Sequence, residues 1–478
     1  MPHLSHYKTS PREGGTPFGA TLAYGAGLAL LLAAPLIRGG NRGVALIPLE
    51  GLGLMVLLGA VLAWAQGRRQ HWGSGARLVA LLVLLASPLW IALVQLVPLP
   101  PDLWTALPGR AFYRELLEGL GLWSDRWRAL SLTPEATLVS ALAGIPVVAA
   151  VALGLTATRA QLTVLARVCL ASALAQAILA LAQLGPAKFL HFGAFFTGAI
   201  GTFANSNHLA SYLVMCIPWT VLEMQRQSHE RGRSRREGGQ AWMWGVVLAV
   251  MMAAVVATGS RAGLAIALLV LAAAILIMPP GIGQYWPLRW RLGALGVLVL
   301  AALLAVGTQF LHRLGGLSAD ASVRWSIFQS TGQAAKIFWP MGSGLGSFSA
   351  VFPRFQPMQT SRNFVEHAHS DYVQFLMETG ALGVICVLLA GWLLARQAWP
   401  LLRRVSDSKR PLAADDAWAL AAALGLAGLL LHAWVDFNLR IPALAIQGAF
   451  CSGILLRQAS RFRQVTDAIS GPKTSTFH

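Results

Sequence analysis

The sequence contains very little charge for its length. Of its 478 residues only 12% are Asp, Glu, Lys or Arg, about half the share in a soluble globular protein, whereas 56% are hydrophobic. No ordinary core could bury that much apolar surface, so the scarcity of charge excludes a set of soluble domains. The composition predicts an integral membrane protein whose outer surface contacts lipid.

Cysteine and tyrosine are also scarce. The 4 cysteines all fall within apolar runs, where a thiol packs as a small hydrophobe, and their spacing indicates neither a disulfide framework nor a zinc site. The first apolar run is not followed by a small-residue cleavage site, so we expect no cleaved signal peptide. The 17 Trp residues, against 6 Tyr, suit aromatic belts at the two membrane–water interfaces.

Long apolar runs are the dominant pattern of the chain. A spanning helix needs about 20 mostly apolar residues. By that rule the sequence predicts an all-α polytopic membrane protein with about 12 transmembrane helices, forming a single integral membrane domain over 1–478. The predicted spans are 17–37, 44–65, 78–97, 138–157, 162–184, 208–224, 241–258, 262–278, 293–311, 372–395, 416–435 and 441–457.

The net charge of +18 is distributed unevenly between the two membrane sides. If the N-terminus is cytoplasmic, most clusters of Lys and Arg fall in loops on that same side, as the positive-inside rule requires. These residues are Arg68, Arg69, Arg77, Arg226, Arg231, Arg233, Arg235, Arg236, Arg289, Arg291, Arg403, Arg404, Lys409, Arg410, Arg457, Arg461 and Arg463. We therefore expect both termini in the cytoplasm, and partners among membrane lipids, with no nucleic acid.

Three segments on the outer side carry most of the chain between the spans. They are 98–137, which opens with Pro98, Pro100 and Pro101, then 185–207, and then 312–371 between spans nine and ten. Long connections without a repeating apolar pattern are uncommon and are often functional. We therefore expect 98–137 and 312–371 to be outer loops, and the second of them to carry part of an active site.

The richest polar stretch is Glu366-His367-Ala368-His369-Ser370-Asp371-Tyr372, where the longest outer loop meets span ten. A histidine with an ordinary pKa near 6.5 can take a proton from a substrate hydroxyl, so His367, His369 and Tyr372 are site candidates. The stretch is also compatible with a polar helix start capped by Ser370 or Asp371. A metal site on the two histidines would require extended backbone and a third ligand.

Two outer arginines are not explained by the topology rule. Arg261 begins span eight, and Arg324 lies within the long outer loop. A guanidinium can bind phosphate oxygens in a bidentate manner and stabilise a departing diphosphate. The competing interpretation is that each side chain extends to the lipid headgroups.

Ionisable groups inside or at the edge of the membrane are costly and are functional candidates by default. Glu50, Glu378 and Asp436 meet that description. Counting helical turns puts Glu378 on a different face from His369, and we expect Asp436 to pair with an arginine. Asn205 and Asn207, just before span six, are candidates for helix capping or for binding sugar hydroxyls.

Two groups of glycines accompany these polar residues. Gly342-Ser343-Gly344-Leu345-Gly346 lacks the strand, the Lys and the helix of a nucleotide-binding loop, so we expect a turn or a glycan-contacting loop. Gly380 and Gly383 lie three residues apart in span ten, which predicts close approach of a second helix.

Several of these blocks resemble, in their order along the chain, the O-antigen ligase and polymerase superfamily of bacterial envelope glycan enzymes. The resemblance covers roughly residues 190–450. The blocks are Gly201-Thr202-Phe203-Ala204-Asn205-Ser206-Asn207-His208-Leu209-Ala210, then 259–263, Arg324 with 342–346 and Phe348, His369-Ser370 followed after nine residues by Gly380 and Gly383, and 436–443.

The resemblance implies a GT-C-like membrane fold and a metal-independent, inverting glycan transfer that uses no cofactor. The implied donor is a glycan on undecaprenyl pyrophosphate at the periplasmic face of the inner membrane. By position in the matching blocks, His369 corresponds to the base, and Arg261 and Arg324 correspond to the pyrophosphate-binding residues. We expect substrate contacts also from His367, Asn205, Asn207, Tyr372 and Asp436.

Three activities within the superfamily share this donor. A ligase transfers the glycan to lipid A–core oligosaccharide, a polymerase to a second lipid-linked glycan, and a protein O-oligosaccharyltransferase to Ser or Thr. The modest outer loop favours the ligase. A secondary transporter or flippase is the alternative from another class, and it would place ionisable groups near mid-bilayer on broken helices.

Overall fold

The computed structural model describes residues 18–41, 43–66, 86–186, 198–230, 241–277, 317–358, 364–407 and 413–469. Most of these residues are helical. Within the described ranges, strands occur as a single antiparallel pair, Pro98–Leu99 (β1) with Arg128–Ala129 (β2). The expected all-α architecture is therefore confirmed for the described part of the chain.

The helices of the described residues include long apolar ones that the apolar runs predict and others in the segments between those runs. In chain order they are α1 Phe18–Ala33, α2 Gly43–Ala65, α3 Ser87–Gln95, α4 Pro101–Ala106, α5 Ala111–Gly119, α6 Pro134–Thr156, α7 Arg159–Ala182, α8 Ser206–Glu230, α9 Ala241–Ala257, α10 Arg261–Ile277, α11 Leu317–Ile337, α12 Phe348–Val351, α13 Asp371–Asp407, α14 Ala414–His432 and α15 Pro442–Ile469. Short 3₁₀ helices cover Arg38–Gly40, Phe352–Phe355 and Asn438–Arg440.

Length and composition allow several of these helices to cross a membrane. Five qualify outright, and four more are apolar but shorter. The five are Gly43–Ala65, Pro134–Thr156, Arg159–Ala182, Asp371–Val405 and Ala414–His432, and the shorter four are Phe18–Ala33, Trp242–Ala257, Arg261–Ile277 and Pro442–Arg457. The predicted ninth span, 293–311, and the first part of the third, 78–85, lie outside the described residues. A membrane protein is thus supported, and the number of twelve spans stays a prediction.

Glycines allow the membrane helices to touch at backbone distance. A Cβ on Gly154 of α6 would collide with Phe450 of α15, and one on Gly453 of α15 would collide with Val151. Gly19 of α1 and Gly59 of α2 make the same kind of reciprocal contact. Lipid tails are as apolar as the helix surfaces, so the hydrophobic effect does not drive membrane helices together. Close backbone packing is therefore a main source of their association.

The polar loops meet at one end of the bundle, which we call the site end. The amide of Asp371, which starts α13, donates to the carbonyl oxygen of Ala433, just after α14, over 3.0 Å. Ser211 Oγ in the second turn of α8 lies 2.6 Å from His432 Nδ1 at the end of α14. The far end instead holds the ion pairs Arg404–Asp416 and Arg167–Glu223.

The segments predicted as outer loops pack on each other at the site end. The second contains α11, a 21-residue helix that the apolar pattern did not predict. We call the described residues 98–133 and 317–358 the loop layer. It has its own small core, in which Phe338, Phe348 and Phe352 pack beside Tyr113.

Arg110 joins the two halves of the loop layer. Its side chain is fully buried between the rings of Trp104 and Phe338. Its Nη2 donates to the carbonyl oxygens of Leu130, over 2.5 Å, and Gly342, over 3.3 Å. The two segments therefore form one unit, although Arg110 and Gly342 are 232 positions apart along the chain.

The expectation for Gly380 and Gly383 is wrong in its detail. Gly380 has φ 60° and ψ −146°, so it breaks α13, and the neighbour that a Cβ would meet is the carbonyl oxygen of Pro340. Gly383 is crowded by Thr379 and Phe375 of its own helix. The glycines therefore accommodate a loop and a helix break, because the conformation of Gly380 is one that L-residues avoid.

Candidate functional site

His369 and Asp436 form an imidazole–carboxylate pair at the site end. His369 Nδ1 lies 3.4 Å from Asp436 Oδ1. The side chain of His369 is 27% exposed and that of Asp436 is fully buried, so the pair is reached from the histidine side. With Nδ1 directed at the carboxylate, Nε2 is the ring atom left to exchange a proton with a bound molecule.

The backbone of His369 is held in an unusual conformation. Its φ is 53°, one of two positive values at non-glycine residues in the described ranges. The amide of Ala368 donates to Gln374 Oε1 over 3.1 Å, and the amide of Asp371 is anchored to Ala433 and Asp436. A strained backbone of this kind persists only where its surroundings fix it, and it is commonest at functional sites.

Asp436 is held as a carboxylate by its neighbours. Its Oδ2 accepts from Asn207 Nδ2 at 2.5 Å and its Oδ1 from the amide of Phe437 at 2.9 Å. Burial alone would raise its pKa, but the hydrogen bond from His369 and the nearby positive charges, including Arg324, lower the pKa below its ordinary value. The carboxylate is therefore ionised and available to a protonated imidazole.

The expected arginine partner of Asp436 is replaced by His369. Arg440, the nearest arginine along the chain, forms ion pairs with other carboxylates. Its Nη2 lies 2.6 Å from Glu378 Oε2, and its Nε lies 4.0 Å from Asp371 Oδ1. The 3₁₀ turn at Asn438–Arg440 separates the two side chains, so Asp436 faces α8 while Arg440 faces α13.

Three histidines surround the ring of Phe437. The ring centroids of His367, His208 and His369 lie 4.3, 4.8 and 5.4 Å from it. Burial, reinforced by the charge of Arg440, lowers the pKa of His367 to about 3, so this imidazole is neutral. Phe437 thereby packs against side chains from two segments, His208 in the first turn of α8 and the two histidines just before α13.

The two asparagines at the start of α8 have different roles. Asn205 Oδ1 accepts from the amide of Asn207 over 2.9 Å, which is the N-cap of the helix. The side chain of Asn207 is left to reach Asp436. Tyr372, another predicted site residue, donates its hydroxyl to the carbonyl oxygen of Leu430 at 2.9 Å, and its ring packs against Trp434 at an angle of 44°.

The two outer arginines have exposed side chains at the site end. Arg261 is the first residue of α10, and the close contact of Gly263 with Ala210 places this helix start beside the first turns of α8. Arg324 lies on α11 in the loop layer, close enough for its charge to act on Asp436. The structure thus brings His369, Asp436 and Asn207 into direct contact, with Arg324 and Arg261 at the periphery.

Several contributing residues were missed by the sequence interpretation. His208 and Phe437 lie in the sequence blocks that resemble the superfamily, but nothing in the sequence pattern indicated a role for either residue. Glu378 was set apart from His369 by counting helical turns, and that argument fails because α13 begins only at Asp371. In the described residues no group of three His, Cys, Asp or Glu side chains is arranged to hold a metal ion.

The fold and the site together define a helical membrane protein with a polar, histidine-containing site at one end of its bundle. Residues 246–388 match a protein family described as O-antigen ligase, which confirms the resemblance to the O-antigen ligase and polymerase superfamily. The matched segment contains Arg261, Arg324 and His369, whereas Asn207 and Asp436 lie outside it. No curated protein matches the chain significantly.

Proposed function

We propose that this protein is an O-antigen ligase that transfers a glycan from undecaprenyl pyrophosphate to lipid A–core oligosaccharide. The observation that carries the proposal is the His369–Asp436 pair, in which the carboxylate is fully buried and the histidine side chain is 27% exposed. The family match over 246–388 supports the same class of chemistry.

In the proposed reaction His369 acts as the general base. Its Nδ1–H is directed at Asp436, so its Nε2 takes the proton from the acceptor hydroxyl as that oxygen bonds to the anomeric carbon. The bond between the anomeric carbon and the diphosphate oxygen breaks, and its electron pair leaves with undecaprenyl pyrophosphate. Attack opposite the leaving group inverts the anomeric configuration. Asp436 stabilises the imidazolium that forms and keeps the ring oriented.

Arg324 and Arg261 are proposed to bind the pyrophosphate. Negative charge grows on the leaving group as the glycosidic bond breaks, and fixed cations lower the energy of that state. Both side chains are exposed, and within the described part of the chain neither forms an ion pair with a carboxylate, so they can meet phosphate oxygens. The glycosyl bond is already activated by the diphosphate, so one base and fixed cations suffice without a metal.

The site end is proposed to face the periplasm, with both termini in the cytoplasm of a bacterial inner membrane. The far end carries Arg226, Arg403, Arg404 and Arg457, which suits a cytoplasmic surface. In a transporter, the polar side chains that bind the substrate would be expected near mid-bilayer. Here they gather instead at the helix ends, which favours surface chemistry over transport.

An acceptor assay with purified protein in detergent tests the proposal. Lipid-linked glycan is supplied with lipid A–core, with a second lipid-linked glycan, or with a Ser- and Thr-containing peptide. We expect the glycan on lipid A–core, without any membrane or ion gradient. Transfer to the second glycan or to the peptide would identify a polymerase or a protein transferase, and no transfer to any acceptor would contradict the class.

Substitutions connect the activity to the residues. His369→Ala is expected to reduce transfer by about a hundredfold or more, because general-base catalysis contributes that much. Arg324→Ala and Arg261→Ala should weaken donor use. Arg396→Ala is the matched control, since Arg396 is an exposed arginine that lies over Trp392. Wild-type rates in His369→Ala would show that the site is assigned wrongly.

A further inference from the structure

Glu378 is a fully buried carboxylate two turns inside α13, and the proposed reaction does not use it. Its Oε2 is bound by Arg440 Nη2 over 2.6 Å, and its Oε1 accepts from Gln374 Nε2 at 3.1 Å and from the amide of Phe348 at 3.3 Å. A carboxylate so far from water is costly unless it is paired and hydrogen-bonded. Glu378 meets that condition through three different segments of the chain.

The first connection from Glu378 leads to the backbone beside His369. An ionised carboxylate only accepts hydrogen bonds, so Glu378 forces the amide nitrogen of Gln374 to face it. The amide oxygen of Gln374 is then left to accept from the amide of Ala368 over 3.1 Å. This bond helps to hold the peptide that precedes His369 in its left-handed conformation.

The second connection leads to the loop that carries Asp436. Arg440 lies four residues after Asp436, across the 3₁₀ turn, and its guanidinium ends on Glu378. Asp371 supports the same loop by accepting from the amide of Leu439 over 2.7 Å. Hydrogen bonds and an ion pair thus connect both His369 and Asp436 to the carboxylate of Glu378.

The backbone of Glu378 is fixed as firmly as its side chain. Because Gly380 breaks the helix, the carbonyl oxygen of Glu378 is free to accept from Gln95 Nε2 at 2.8 Å and from the amide of Gly344 at 2.9 Å. Glu378 is therefore anchored to α3, to the loop layer and to α13 at once. Because Glu378 is held in this way, it can keep His369 and Asp436 at a fixed separation.

We propose that Glu378, acting with Arg440, is a positioning residue that sets the separation and orientation of His369 and Asp436. The inference rests on the proposed function for its catalytic meaning. Its structural content is narrower: the negative charge of Glu378 fixes the orientation of the Gln374 amide, and that orientation fixes the backbone at Ala368 and His369.

Glu378→Gln is the decisive variant, because it keeps the size of the side chain and removes its charge. A glutamine can donate as well as accept, so residue 378 no longer enforces the orientation of Gln374, and only the contacts of Gln374 with the Ala368 amide and His367 Nδ1 remain to favour it. We expect kcat to fall by about ten- to a hundredfold, with the KM for donor changed less than about twofold, since a small misplacement of a base costs rate and leaves binding intact. The acid limb of the pH–rate profile should shift as well.

Glu223→Gln is the matched control. Glu223 is also fully buried in a membrane helix and is paired with an arginine, Arg167, at 3.1 Å, but at the far end of the bundle. It is expected to lose similar thermal stability with kcat per folded molecule and pH profile unchanged. If Glu223→Gln altered the pH profile as much as Glu378→Gln, general destabilisation would explain both and the inference would be overturned.

Gln374→Met covers the case in which Glu378→Gln fails to fold. It removes the first connection, together with the 3.4 Å contact of Gln374 Nε2 with His367 Nδ1, and leaves the Glu378–Arg440 ion pair in place. A lower kcat and a shifted acid limb in this variant support the inference. An unchanged kcat and pH profile in folded Gln374→Met contradict it.

A readout without substrate separates this inference from the proposed function. Diethyl pyrocarbonate modifies neutral imidazole, and the pH dependence of modification at His369 can be followed by peptide mass spectrometry. A shift of that dependence in Glu378→Gln, absent in Glu223→Gln, supports the positioning role even if the wild-type protein transfers no glycan. Identical pH dependences in the wild type and Glu378→Gln would overturn it.

Discussion

Asn207 donates its side-chain amide to Asp436 Oδ2 over 2.5 Å, which ties the first turn of α8 to the loop after α14. Asn207→Asp would place a second carboxylate against the first, and two like charges at this distance cannot both stay ionised. We expect transfer to fall by about tenfold or more, because one extra proton weakens the support for His369. The initial rate at pH 7 measures the effect.

The control for that change lies two residues earlier. Asn205 caps α8, and Asp is as good an N-cap as Asn, so Asn205→Asp should leave both rate and stability near the wild-type values. Equal losses in Asn205→Asp and Asn207→Asp would mean that added charge anywhere in this turn disturbs the site.

Asp436→Asn should slow transfer and move its dependence on pH. The amide keeps the shape of the carboxylate but no longer stabilises a positive charge on the neighbouring imidazole. We expect kcat to drop by about a hundredfold and the acid limb of the pH–rate profile to move to lower pH. A profile displaced to higher pH would contradict the assignment of Asp436 as the partner of His369.

His367 should make the folded protein sensitive to mild acid. Its pKa is lowered to about 3 from an ordinary 6.5, so between these values the unfolded chain binds a proton that the folded protein does not. Its stabilising contribution is therefore complete above pH 6.5 and declines as the pH falls towards 3. In His367→Gln the thermal midpoint should fall less between pH 7 and pH 5 than in the wild type.

Tryptophan fluorescence during heating in detergent provides that midpoint at each pH. Glu366→Gln, a change at the exposed neighbouring side chain, serves as the control and should follow the wild-type curve. A His367→Gln curve that coincides with the wild-type curve would show that the imidazole titrates normally in the folded protein.

Gly380→Ala should be strongly destabilising. Its φ of 60° and ψ of −146° are strained for any L-residue, and the new methyl group would collide with the carbonyl oxygen of Pro340. We expect a loss of about 2–4 kcal/mol. Gly391→Ala, in the same helix but with open space around the new methyl group, should be neutral or slightly stabilising by comparison.

The sequence was most informative where the membrane dictates the pattern. Apolar runs of about twenty residues marked α2, α6, α7 and α14 closely, because a backbone in lipid must satisfy its hydrogen bonds internally and so becomes helical. Helix α11 was not predicted, since its sequence mixes polar and apolar residues and it lies outside the apolar runs.

The sequence predicted several residues of the candidate site but not the contacts between them. The recognised blocks singled out His369, Arg261 and Arg324, and the family match contains all three. The contact of His369 with Asp436 joins residues 67 positions apart, and no local pattern specifies it. The anchoring of the Glu378 carbonyl oxygen to Gln95 and Gly344 depends on the helix break at Gly380, which a count of helical turns treats as continuous helix.

The hydrogen bonds between the loop layer and the broken turn of α13 bear on how a bulky molecule gets in. Ser343 and Gly344 donate to the carbonyl oxygens of Met377 and Glu378, and Leu345 donates to Gln95 Oε1. Along this edge, hydrogen bonds hold the loop layer against the bundle, so the layer cannot move away from it. A long glycan must therefore arrive along another part of the rim, so cross-links that close the edge at Ser343 should leave turnover intact.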